Sequence, residues 1–199
     1  MIHALDLEAQ PLLSRYLSPS RLAHSQRVAH TAYELAIHWN LDSQAAYQAG
    51  LLHDLAKPFS PSTLPHSISD SLTDVWESYP AVWHALVGPA WINSLPITPL
   101  EGVLEAIYWH TTGGDCMSCL TQVLFVADYI EPQRPFGNRQ MIAELAQSNL
   151  QHATLAVVGS SIHDLLRRGL PIHPFTIDCY NWVCGQLGVS VSKSIIEVI

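Results

Sequence analysis

Charge is scarce in this chain. Asp, Glu, Lys and Arg together make up 13% of its 199 residues, about half the share of an ordinary soluble domain. Apolar residues reach 48%, which excludes a disordered chain and implies that much of the sequence is buried. Basic residues are scarcest: nine Lys and Arg face seventeen Asp and Glu, a formal charge of −8. A chain without a Lys/Arg stripe has little to offer a nucleic-acid backbone. Long apolar runs are missing too, and nothing approaches the roughly 20 residues of a membrane span. The start, Met1-Ile2-His3-Ala4-Leu5-Asp6, has neither a basic n-region nor an apolar h-region, so a cytoplasmic location is expected. There are four cysteines. Cys116 and Cys119 form a C-x-x-C, but Cys179 and Cys184 have the wrong gap and separation for a zinc ribbon, and no βαβ pattern surrounds the first pair. They read as reduced thiols, with a zinc-held interaction module as the competing reading.

Helical periodicity runs through nearly the whole chain. Ser18-Pro19 opens a helix reaching about Trp39, and Asp42 caps a second over about 43–55. Pro58, Pro61 and Pro65 impose a loop over 58–68. Further helices are predicted at 80–93, from Thr98-Pro99 to about His110, at 117–130, 138–150, 152–168 and 174–187. The tail from Val189 is rich in β-branched residues and has no evident place in a helical core. The expected architecture is one all-α domain over 1–199, a bundle of seven or eight helices with its core at 18–187 and a tail at 188–199.

Histidine is plentiful: eleven residues, more than Lys and Arg together. Several lie where a polar side chain is costly. His53 and Asp54 interrupt Leu51-Leu52-His53-Asp54-Leu55 at a helix end. Burying both costs several kcal/mol (order of magnitude) unless they are paired or bind a cation. His24 shares a helix face with Arg21 and Arg27. His84 sits in Trp83-His84-Ala85-Leu86, His110 ends an apolar helix before Thr111-Thr112-Gly113, and Asp128 closes Val123-Leu124-Phe125-Val126-Ala127. A metal bound by successive helices is the simplest account of His…His-Asp…His…His…Asp. Mixed His/carboxylate ligation suits iron, manganese or zinc better than magnesium.

This series resembles the HD-domain metal-dependent phosphohydrolase superfamily. Four segments narrow it: Arg21-x-x-His24-Ser25; Ala49-Gly50-Leu51-Leu52-His53-Asp54-Leu55-Ala56-Lys57; His110-Thr111-Thr112-Gly113; and Ala127-Asp128-Tyr129-Ile130-Glu131-Pro132-x-Arg134. They are similar to the YqeK-type symmetrical bis(5′-nucleosyl)-tetraphosphatases, over about Ser18 to Asn181. The chain departs from that pattern at Trp83, Ala85, Thr98 and Gln122, none of them a ligand position. The resemblance implies hydrolysis of diadenosine tetraphosphate to two ADP by a metal-activated water. It implies His24, His53, Asp54 and Asp128 as metal ligands, His84 and His110 as holders of a second metal or of phosphate, and iron, mono- or binuclear, as the metal. Asp54, His84 and His110 are the implied catalytic residues. Arg27, Lys57, His84, His110, Thr111, Asp128 and Arg134 are expected to meet substrate, and the segment His173-Pro174-Phe175-Thr176 to border the nucleotide. The alternatives are an HD hydrolase of a deoxynucleotide or alarmone, and a catalytically silent nucleotide sensor.

Overall fold

Ser18 accepts the backbone N–H of Arg21 at 3.4 Å, and Pro19 occupies the first position of the helix that follows. A computed structural model describes residues 2–69 and 72–196 and resolves this segment as the second of twelve helical segments. They are α1 Ile2–Tyr16, α2 Pro19–His38, α3 Ser43–Leu52, α4 His66–Ser69, α5 Thr73–Ser78, α6 Pro80–Asn93, α7 Val103–Trp109, α8 Cys119–Ile130, α9 Arg139–Ser148, α10 Leu150–Arg167, α11 Pro174–Leu187 and α12 Val189–Ile196. Among the described residues there is no strand, and no helix is long and apolar enough to cross a membrane.

The eight helices expected from periodicity are present, and four segments exceed the expectation of seven or eight. Pro11 lies inside α1 and masks it in the sequence; Ala9 and Leu13, both buried, attach it to the core. The short α4 and α5 occupy and follow the proline-rich loop. The tail is a helix through Ile196 rather than an unplaced strand-like segment, and Ile195 is buried. Residues 197–199 lie outside the described residues. The predicted helix at Thr98-Pro99 starts later, at Val103.

Two helices carry the centre of the core. α8 is buried from Thr121 to Ala127, which explains why almost all its residues are apolar. α2 and α3 pack through small residues: Ala29, Ala32 and Ala36 face a helix in which everything from Ala45 to Leu52 is buried. Gly50 sets their approach, since a Cβ there would fall 2.4 Å from the Ala29 Cα. Helix propensity alone favours alanine at position 50 by about 1 kcal/mol. The backbone contact reverses the sign: Gly50→Ala is expected to destabilise by about 3 kcal/mol, as overpacking against backbone does. A urea titration checks this, and an unchanged or raised midpoint would contradict it.

Candidate metal and phosphate site

The predicted helix over 43–55 ends earlier, at Leu52, and tightens into turns held by Leu55 N–H to Leu52 C=O and Lys57 N–H to Asp54 C=O, both 3.0 Å. His53 is the C-cap, and its Nδ1 lies 2.8 Å from the Gly50 carbonyl. His110 repeats the device at the end of α7, with Nδ1 2.6 Å from the Ile107 carbonyl. In both, the ring N–H satisfies a carbonyl left over at a helix end. That places a proton on Nδ1 and turns Nε2 inward, the atom that carries the lone pair in the neutral ring. His24, on α2, is held by Glu131: its Nδ1 lies 3.2 Å from Oε1. Histidine ligands of metals are oriented by this kind of second hydrogen bond.

The inward-facing atoms meet two carboxylates. Asp128 Oδ1 is 3.0 Å from His24 Nε2 and 3.8 Å from His53 Nε2. Asp54 Oδ1 is 3.1 Å from His84 Nε2, 3.8 Å from His53 Nε2 and 3.9 Å from His110 Nε2. His84 and His110 also face each other, Nε2 to Nε2, at 3.1 Å. Two sets of donors result, His24–His53–Asp128 and His53–Asp54–His110, each within 4.8 Å. Ligand atoms about 2.1 Å from an ion lie roughly 3 Å apart or more, so these spacings suit one. The chemistry fits as well. His53 Nε2 and Asp54 Oδ1 are buried with no hydrogen bond of acceptable geometry. Imidazole nitrogens and carboxylate oxygens converge here, and a bound cation would satisfy the two atoms that have no partner.

Cations already border the cluster. Arg21 Nη1 binds Asp54 Oδ2 at 3.0 Å, and Lys57 Nζ lies 3.3 Å from Asp54 Oδ1 and 3.1 Å from His84 Nε2. Arg134 binds the Asp128 carboxylate through Nη2 and the Asp128 carbonyl through Nε at 2.8 Å. Burial pushes the Asp54 carboxyl up, but His53, the contact with His84, and Lys57 outweigh it and hold it well below the usual range. Asp128 is likewise depressed: burial raises it, and His24, His53 and Arg134 pull it down further. Burial, only partly offset by Asp54, lowers His84 to about 4, so its imidazole is neutral at pH 7. His110 is held well below its ordinary value by burial and by His53 and His84.

Six of the residues singled out in the sequence thus meet: His24, His53, Asp54, His84, His110 and Asp128. Thr111 joins them, its hydroxyl 3.0 Å from His110 Nε2. A cleft of about 1130 Å³ opens beside Lys57, His110, Thr111, Asp128 and Arg134, and a smaller opening of about 340 Å³ lies at Ser18, Arg21, His24, Asp54, Lys57 and Arg134. Arg27 lines neither; it grips Glu131 with Nε at 2.6 Å and Nη2 at 3.2 Å. His173, Pro174, Phe175 and Thr176 line neither opening. They begin α11, where His173 caps the Phe175 N–H, and their rings pack on Tyr79, Tyr108 and Trp109. Sequence reasoning passed over Glu131 and Arg21 as site residues. Both stand in the quoted motifs, and a carboxylate that follows a buried helix, three residues beyond Asp128, was the available signal for Glu131.

The cysteines stand apart from the cluster. Cys116 and Cys119 are exposed free thiols, Cys184 is half-buried, and burial pushes the Cys179 thiol up to about 12. Cys116→Ser with Cys119→Ser is therefore expected to keep its metal stoichiometry and a rate within about twofold of wild type, since neither thiol belongs to a donor set. Loss of metal in this double variant would favour the zinc-module reading.

An all-helical bundle closing on a buried His/Asp cluster defines a class, and residues 21–133 match the HD domain family; that family uses a divalent metal. The chain is 32% identical over 179 residues to a symmetrical bis(5′-nucleosyl)-tetraphosphatase of Bacillus subtilis, covering 88% of this chain and 96% of that protein. It is 32% identical over 176 residues to the protein of the same name from Halalkalibacterium halodurans, covering 87% and 94%. A crystal structure from Clostridium acetobutylicum, described as a "predicted HD superfamily hydrolase involved in NAD metabolism", superposes with a TM-score of 0.77 at 30% identity, covering 88% of this chain and 95% of that one. The chain belongs to the HD-domain family and, within it, to the symmetrical bis(5′-nucleosyl)-tetraphosphatase branch.

Proposed function

We propose that this protein is a metal-dependent hydrolase that splits diadenosine tetraphosphate symmetrically into two ADP. The observation that carries the reading is the convergence of inward-facing histidine nitrogens and carboxylates, two of those atoms without a hydrogen bond, at the mouth of a cleft flanked by Lys57 and Arg134. His24, His53, Asp54 and Asp128 hold the metal, which we take to be iron; His84 and His110 hold a second metal or face phosphate. When bound, the metal polarises a phosphate oxygen and lowers the pKa of a water.

The chain's own residues supply the rest, because phosphoryl transfer mostly needs positioning and neutralisation of charge. Lys57 presents an ammonium beside Asp54 and His84, and Arg134 a fork that matches phosphate geometry. The Thr111 hydroxyl reaches the phosphate from the His110 side. His84 is neutral at pH 7, so it meets a metal or a phosphate without first losing a proton. Arg27 and Glu131 act indirectly, by keeping the His24 ring turned inward. We read the chain as one cytoplasmic domain over 1–199.

The test strips the protein with a chelator, restores iron, manganese or zinc separately, and assays diadenosine tetraphosphate beside NAD. Turnover of the tetraphosphate that vanishes on stripping and returns best with iron supports the reading. Turnover of NAD alone, or turnover indifferent to metal, contradicts it.

A further inference from the structure

A symmetrical dinucleotide has two nucleosides, and cleavage at its centre leaves an ADP half on each side of the metal. The one segment that the sequence suggested for a nucleotide, 173–176, does not line the large cleft. That cleft runs from Lys57 and Arg134 across the end of α8, the loop over 131–138 and the outer part of α10. At about 1130 Å³ it exceeds the needs of a phosphate group and matches pockets built for larger ligands.

Its wall carries an aromatic platform. Phe136 stacks on Tyr129 with ring centroids 4.4 Å apart and planes at 24°, yet remains 38% exposed. The platform is braced: the Tyr129 hydroxyl donates to Asn138 Oδ1 at 2.9 Å, and Asn138 Nδ2 donates to Ser160 Oγ on α10 at 2.8 Å. Arg134 Cζ lies 5.8 Å from the Phe136 ring centre. In a nucleoside diphosphate a single ribose separates the base from the first phosphate. A phosphate-binding cation and a partly exposed ring side by side therefore offer one contact for each end of such a ligand.

We propose that this cleft is a nucleoside subsite: it holds one ADP half of the substrate, with the base on Phe136 and the diphosphate toward Arg134 and Lys57. The proposal rests on the tetraphosphatase reading above. Stacking of a base on an aromatic side chain contributes about 1–3 kcal/mol, or roughly 5- to 150-fold in affinity. The experiment titrates metal-loaded protein with the β,β′-methylene analogue of diadenosine tetraphosphate, and separately with inorganic pyrophosphate. Phe136→Ala is expected to weaken the analogue about tenfold while leaving pyrophosphate binding and metal content unchanged, with a small fall in melting temperature from the lost stack on Tyr129. Phe136→Trp should restore the analogue's affinity. Equal affinity of wild type and Phe136→Ala, no binding of the analogue by wild type, or equal weakening of analogue and pyrophosphate overturns the subsite. Wild-type protein that binds the analogue through Phe136 but leaves diadenosine tetraphosphate intact counts against the tetraphosphatase reading and not against the cleft.

Discussion

Asp54→Ala and His53→Ala each abolish turnover and strip the protein of most of its metal. Asp54 Oδ1 lies within 3.9 Å of nitrogens from His53, Lys57, His84 and His110, and His53 Nε2 belongs to both donor sets. Either change removes a donor that no neighbour replaces. The expected loss in kcat/KM is at least about 1000-fold, or roughly 4 kcal/mol of transition-state stabilisation. Stability follows the metal: a ligand present at 100 times its Kd stabilises by about 2.7 kcal/mol, and a variant that no longer binds it loses that amount. The stripped forms should differ less in Asp54→Ala, because the Arg21 and Lys57 side chains left behind are 38% and 34% exposed and can turn to water. Metal analysis beside thermal melting, with and without metal, checks both parts. A variant that keeps full metal content and turnover would remove this cluster as the active site.

Arg134→Ala is expected to lower kcat/KM by roughly 30- to 1000-fold, about 2–4 kcal/mol, the loss typical of a charged phosphate contact. The global charge of −8 opposes an anionic substrate, so attraction must be local. The metal provides the largest charge. Arg134 lines both openings onto the cluster, and one of its nitrogens also lies 3.4 Å from His24 Nε2. Arg139 is the comparison. It reaches the Ile130 carbonyl at 3.3 Å at the end of α8, away from the donors, and Arg139→Ala should change the rate by less than about threefold. Metal content should be unchanged in both variants. Steady-state kinetics on diadenosine tetraphosphate distinguish them, and small, equal effects would place Arg134 off the phosphates.

The helices legible in the sequence were those with local punctuation. Ser18-Pro19, Asp42 and Pro174 mark starts that depend on neighbours within three residues, and α2, α3 and α11 begin there. α1 was hidden because Pro11 argues locally against the helix that burial of Ala9 and Leu13 sustains. The tail misled in the same way: β-branched residues suit strands, but docking of Ile195 decides for α12.

The cluster was legible for a different reason. His53, His84, His110 and Asp128 are polar residues inside apolar runs, and burial makes such residues informative singly. What the sequence concealed is pairing across the chain. Glu131 meets Arg27 and His24 over separations of 104 and 107 residues, and no spacing rule reaches that far. Arg27, taken from sequence as a phosphate contact, is turned to Glu131 for the same reason. The platform of Tyr129 and Phe136 is equally a tertiary product, since the brace through Asn138 to Ser160 exists only once α10 has packed on α8.

The measurement that bears most directly on the account is product analysis of diadenosine tetraphosphate hydrolysed by the iron-loaded protein in 18O-enriched water. Attack at the centre of the tetraphosphate predicts ADP alone, with one molecule of each pair carrying a single 18O on its β-phosphate, and no product from Asp54→Ala. AMP together with ATP, or an intact substrate under conditions where the metal is bound, would contradict it.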